Sequence, residues 1–218
     1  MNHFTQKYPQ NIWSIKINKM LSGKKFDLVV DAPCGNGIIS YLSAKQFPNI
    51  QFLAVDIDEK QLSSNFLKNK PLNLNSRLDD IFQLKINNGN NAWLFVNSLY
   101  CLPEKERLME NFSIQFNSIF AVFPDIESSN YKYFTKKNKD FENPSAMTIL
   151  DTIQFFEKYG FKLIRKQAVT SIPFHIWNSF FDKIRLNIKL KNLIFTLTDS
   201  IFFFGRKQYE IMEFKRYE

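Results

Sequence analysis

The segment Asp31-Ala-Pro-Cys-Gly-Asn-Gly37 gathers residue types from which a nucleotide-like ligand site is built. Gly35 and Gly37 tolerate positive φ and let the backbone approach a ligand closely. A helix starting just after them would present free N–H groups to a carboxylate or phosphate. Such a turn serves any mononucleotide-type α/β site. Two residues narrow the chemistry. A dinucleotide fingerprint requires a third glycine three residues after the second, and here that position is Ser40. Asp31 precedes the glycines, and a carboxylate there repels a pyrophosphate. It suits a ligand that carries positive charge.

A second acid lies at Asp56, roughly 20 residues after the glycines, at the end of the apolar run Gln51–Asp56. From that place a carboxylate accepts both hydroxyls of a ribose. Asp58 is the alternative for that role, and is also a good helix cap. Asn97-Ser98-Leu99-Tyr100 follows another apolar run and is expected to face cofactor or substrate, since parallel-sheet ligands lie outside the carboxyl ends of strands. There are two histidines, His3 and His175. His175 is a general-base candidate because its ordinary pKa lies near neutrality; the competing expectation is a packed or capping residue. Tyr100, Tyr131, Tyr133, Phe134, His175 and Trp177 are the candidate substrate contacts. No metal site is expected, because Cys34 and Cys101 form neither a metal-ligand array nor a disulfide framework.

The elements that must position these residues follow from hydrophobic patterning. Short apolar runs predict buried parallel strands at Asp27–Asp31, Gln51–Asp56, Leu74–Leu78, Ala92–Asn97, Ser118–Phe123 and Phe161–Val169, with a last strand over Tyr209–Phe214. Helices are predicted over Ile38–Gln46, Glu59–Asn69 with Asp58 as N-cap, Pro103–Phe116, and Thr148–Tyr159 closed by Gly160. Alternation of this kind gives an α/β fold, a mostly parallel sheet covered by helices on both faces. Residues 125–147 are polar, Lys-rich and aromatic, and read as a long lid loop. Phe174, Trp177, Phe181, Ile184 and Ile188 recur at helical spacing, which predicts an amphipathic insertion within 172–205, ahead of the last strand.

With these elements in place, Asp31-x-Pro33-Cys34-Gly35-x-Gly37 resembles the first motif of class I S-adenosylmethionine (SAM)-dependent methyltransferases. The likeness extends over residues 28–214, in its middle and end by the pattern of elements more than by residue. It implies a three-layer Rossmann-like domain over 1–218, with seven strands, the last antiparallel, and residues 1–25 as an N-terminal helical cap. It also implies SAM as cofactor, held by Asp31, Ala32, Pro33, Cys34, Gly35 and Gly37, with Asp56 on the ribose and Ile57 on the adenine. Asp80 and Ile81 would reach the adenine from the third strand, and Asn97 and Ser98 would complete the site. Tyr8 and Trp13 fall where similar enzymes fold a helix over the cofactor, core packing being the alternative. Two departures matter. Base-methylating enzymes carry Asp/Asn-Pro-Pro-Tyr/Phe where this chain has Asn97-Ser98-Leu99-Tyr100, and residues 170–208 separate strands that the family joins closely.

Composition bounds the rest. The chain has 218 residues, 44% of them hydrophobic, enough for one core and one domain. Its 24 phenylalanines exceed ordinary core needs and favour an apolar or aromatic acceptor, free or carrier-bound. The net charge of +8 is spread along the chain with no recognised nucleic-acid module, which disfavours nucleic acid as partner. No run approaches the ~18 apolar residues of a membrane span, and Met1–Asn11 lacks a signal-peptide core. A cytoplasmic location is expected, with peripheral membrane contact through the basic face of the insertion as an option. The expected activity is methyl transfer to a small acceptor, oxygen preferred over nitrogen or carbon. The alternatives are an RNA methyltransferase, whose binding would show a steep salt dependence, and a non-catalytic SAM-fold subunit.

Overall fold

A computed structural model describes residues 9–99, 102, 104–128, 131–132, 136, 147–169 and 208–217. Seven strands form one sheet: β1 (Leu28–Asp31), β2 (Gln51–Asp56), β3 (Leu74–Leu78), β4 (Asn91–Val96), β5 (Ser118–Pro124), β6 (Phe161–Val169) and β7 (Tyr209–Arg216). The helices are α1 (Pro9–Leu21), α2 (Ile38–Gln46), α3 (Glu59–Leu62), α4 (Asn65–Lys68), α5 (Lys105–Phe112) and α6 (Ile149–Lys158). The strand order is β3-β2-β1-β4-β5-β7-β6. The chain winds outward from β1 to β3, then returns to the other side of β1 at β4. That reversal opens a crevice at the carboxyl ends of β1 and β4, where open α/β sheets bind ligands.

Pairing is parallel from β3 through β5, with Val30 of β1 opposite Leu53 of β2 and Trp93 of β4. β7 runs antiparallel between β5 and β6, with Tyr209 opposite Pro124 on one side and Val169 on the other. The expected pair of β6 and β7 is therefore present, and Gln208 N–H donates to the Val169 carbonyl at 3.0 Å where the segment re-enters. Residues 172–205 lie outside the described residues.

Period-two burial sorts side chains to two faces. Val29, Phe120, Val122 and Ile211 meet α1, α2 and α4 on one. Val30, Trp93, Phe95, Ala121 and Phe214 meet α5 and α6 on the other. This gives the three layers expected. Phe95, Phe112 and Phe116 surround Trp93, with ring centroids 4.4, 4.5 and 5.8 Å away. Much of the phenylalanine surplus is thus core. α6 starts at a capping box, in which the Thr148 hydroxyl accepts Asp151 N–H and the Asp151 carboxylate accepts Thr148 N–H. It ends before Gly160, whose φ is 83°.

Three expected elements differ. The helix predicted over Glu59–Asn69 is two short helices, because the Ser64 hydroxyl caps α4 by accepting Leu67 N–H and donates to the Asn36 carbonyl at 2.6 Å. α5 stops at Phe112, since Phe116 turns inward beneath Trp93 and Gln115 donates to the Leu84 carbonyl. Residues 125–147 are not wholly loop. The Ser128 hydroxyl accepts Tyr131 N–H, and Tyr131, Lys132 and Lys136 are helical. Among the described residues no helix is long and apolar enough to cross a membrane.

Candidate active site

β1 delivers Asp31 to the bottom of the crevice. The turn that follows has a cis Ala32–Pro33 peptide and left-handed φ values at Gly35 (54°) and Gly37 (71°). Two bonds pin this turn to its neighbours: Cys34 N–H donates to the Val55 carbonyl at 2.8 Å, and Trp93 Nε1–H donates to the Ala32 carbonyl at 2.8 Å. The two glycines do different jobs. A Cβ on Gly35 would meet no atom within 4 Å, so that side of the turn is open to a ligand. A Cβ on Gly37 would lie 2.6 Å from Leu67 Cδ2, so Gly37 lets α4 close onto the turn. Gly37→Ala should therefore destabilise the fold by about 1–3 kcal/mol. Gly35→Ala should cost about 1–2 kcal/mol, the left-handed backbone alone. Thermal denaturation of the pair checks the ranking, and equal melting temperatures would contradict it.

Part of the start of α2 is taken up by the chain itself. Ile38 N–H donates to Asn36 Oδ1, and both the hydroxyl and the N–H of Ser40 serve Asp31. Asp31 is 1% exposed, and Ser40 Oγ lies 2.5 Å from its Oδ2. Burial, reinforced by the nearby Asp56 carboxylate and opposed by the Ser40 bonds, pushes the Asp31 carboxyl up to about 7. Burial and the same two carboxylates raise the Cys34 thiol far above its ordinary value, so it stays protonated and inert.

Asp56, at the tip of β2, accepts Gly35 N–H at 2.7 Å on one oxygen and Asp58 N–H at 3.0 Å on the other. Each oxygen keeps a further lone pair for a hydroxyl. Asp58 is the α3 cap, its side chain accepting Lys60 N–H at 2.9 Å. Ile57 is 72% exposed, and Leu78, opposite Asp56 in register, is 56% exposed. Two aliphatic side chains so exposed beside a ribose-type acid make an apolar rest for a flat ring. Leu78 was missed in the sequence, where β3 is weakly patterned; its pairing with Asp56 is what reveals it. Asp80 turns its carboxylate onto Phe82 N–H and the Gln83 side chain, and Ile81 is buried in the core beside β4.

β4 ends at Asn97, which has φ 54° and whose N–H donates to the Val122 carbonyl. Asn97 Oδ1 and Ser98 Oγ are buried, with no hydrogen-bond partner among the described residues. Strain and orphaned polar atoms at a crevice mark a place where a ligand supplies the missing bonds. The structure thus brings together Asp31, the 32–37 turn, Asp56, Ile57, Asn97 and Ser98 along one edge. Tyr131 is half-buried, after the β5 strand end. Tyr8, Tyr100, Tyr133, Phe134, His175 and Trp177 lie outside the described residues. Trp13 packs in the core, edge-on to Tyr209 at 4.9 Å.

The residues present fit SAM on these grounds: an open face at Gly35, a ribose-competent acid, an adjacent apolar rest, a buried acid for a cation, and orphaned polar atoms. Several solved structures are similar in fold. The magnesium protoporphyrin IX methyltransferase from Synechocystis PCC 6803, with SAH bound, superposes at TM-score 0.65 with 16% identity, over 100% of this chain and 89% of that one. A plantazolicin methyltransferase in complex with a triazolic desmethylPZN analog and SAH gives 0.63 and 14%, over 98% and 88%. A pyocyanin biosynthetic protein gives 0.60 and 13%, over 95% and 55%. No protein-family model matches the chain, and no curated protein matches its sequence. The fold is that of the class I SAM-dependent methyltransferases.

Proposed function

We propose that this chain is a SAM-dependent methyltransferase acting on a small apolar or aromatic acceptor, with oxygen acceptors the first to assay. The observation that carries the reading is the pair of acids, Asp31 and Asp56, flanking the Gly35 face of a turn at the point where the strand order reverses. Asp56 would accept the ribose hydroxyls while its two backbone donors keep it aimed. Ile57 and Leu78 would cover the adenine. Asp31 would face the cationic amino-acid end, with Asn97 and Ser98 available to its polar atoms.

When bound, SAM supplies the electrophilic methyl group, so the protein's work is alignment and exclusion of water. The rigid turn, tied to β2 and β4 by Cys34 and Trp93, fixes the cofactor side of that alignment. Similar folds with SAH bound, one of them also with a triazolic desmethylPZN analog, support this reading. Tyr100, Tyr131, Tyr133, Phe134, His175 and Trp177 are proposed acceptor contacts, and His175 a general base where the acceptor must lose a proton.

Titration calorimetry tests the cofactor. Saturable binding of SAM and of S-adenosylhomocysteine is expected, and Asp56→Ala should weaken both more than about tenfold by removing charge-assisted bonds. No saturable heat from demonstrably folded wild type sinks the proposal. Unchanged affinity in Asp56→Ala removes Asp56 from the site.

A further inference from the structure

Asp31 is buried, and among the described residues none that the structure places beside it balances a negative charge. β2 brings Asp56, a second acid, and the turn brings the Cys34 thiol. β4 brings only apolar neighbours, with Leu94 opposite Asp31 in register and Trp93 and Phe95 beside it. α2 brings Ser40, and α1 meets α2 through Asn18, Ser43 and Gln46, none of them ionisable near neutrality. Among the described residues no Lys, Arg or His bonds to Asp31. Its ion state therefore depends on what enters the crevice.

Resting on the SAM reading of this site, we propose that on the acid side of neutrality Asp31 is protonated in the free protein and releases that proton to solvent when the cationic cofactor binds, with Ser40 holding both forms. The Ser40 hydroxyl is suited to this because it both donates and accepts. It accepts from the protonated carboxyl, and by rotating its hydrogen it donates to the carboxylate, with no heavy atom moved. The Ser40 N–H adds a donor that serves the ionised form. The balance is simple: a neutral acid and a cation become an ion pair and one proton in the buffer. Desolvation and the Asp56 charge hold the free carboxyl up at about 7, so the exchange falls in a range where it can be measured. A glycine at position 40, as in dinucleotide sites, would lack the hydroxyl.

Calorimetric titration of the full chain with SAM, in two buffers of different ionisation enthalpy between about pH 5.5 and 7.5, reads the proton directly. At about pH 6 wild type should release close to one proton per cofactor bound, and the dissociation constant should fall about tenfold for each pH unit up to about 7. Asp31→Asn should release none and show no such slope, and it also serves as the control for the cofactor's own amino group. Ser40→Ala should still release a proton, with the levelling-off of affinity moved to higher pH. Saturable binding with a pH-independent constant and no proton release overturns the exchange while leaving the cofactor site standing. Absence of binding at every pH overturns both.

Discussion

Trp93→Ala should remove about 3–5 kcal/mol of stability through lost packing alone. Trp93 is fully buried and touches three phenylalanine rings from β4, α5 and the segment after it. Its Nε1–H also holds the Ala32 carbonyl, and leaving that carbonyl unpaired adds about 1–3 kcal/mol. Against a typical total of about 5–15 kcal/mol, the variant should sit near its unfolding threshold. Trp93→Phe separates the two effects. It keeps most of the packing, loses the donor, and should loosen the 32–37 turn, so SAM affinity should fall while most of the stability remains. Urea denaturation reads the first effect and calorimetry the second. An alanine variant within about 1 kcal/mol of wild type would show that the aromatic cluster is not what anchors the turn.

Asp31→Asn should make the free protein more stable above neutrality. Below about pH 3.8 the folded and unfolded chains both hold the Asp31 proton, and the residue contributes nothing. Between 3.8 and about 7 the unfolded chain gives its proton up while the folded protein keeps it, so stability falls as pH rises. Above about 7 the folded protein ionises too, and the penalty stays at its full value. At about 1.4 kcal/mol for each pH unit of that interval, the burden comes to somewhat more than about 4 kcal/mol. The asparagine variant escapes it. The two proteins should have similar stability near pH 4 and diverge steadily towards pH 7, the variant being the more stable. The same substitution should weaken SAM, so one carboxylate sets stability against binding. Denaturation midpoints across that range decide the matter, and a constant gap between the proteins would mean Asp31 is ionised throughout.

Much of this arrangement was legible in the residues. The bounds of α2, β2, β3 and β6 follow from apolar runs and their stops, and Asp31 and Asp56 fall where the runs end, which is why a strand-tip reading located both. What patterning could not reveal is carried by side chains that bond across the sequence. Ser64 reads as an ordinary helical serine until Asn36 stands beside it. Ser40 reads as a missing glycine until the Asp31 carboxyl is found against its hydroxyl. Trp93 reads as one more apolar residue in β4, and Leu78 as the end of a weak strand. Each acquires its role from a neighbour that pairing, not sequence proximity, supplies.

The insertion of β7 between β5 and β6 has a consequence for synthesis. While the ribosome is still making the 170–207 region, β5 offers an unzipped edge, and β6 with α6 has nothing to hold it to the sheet. The N-terminal segment is also completed late, since Lys24, just after α1, pairs with Glu213, which lies 189 residues further on, and Trp13 of α1 packs on Tyr209. One late strand closes all three gaps together, so a nascent chain stalled before Tyr209 should be a target for chaperones and proteases, while the released chain should not.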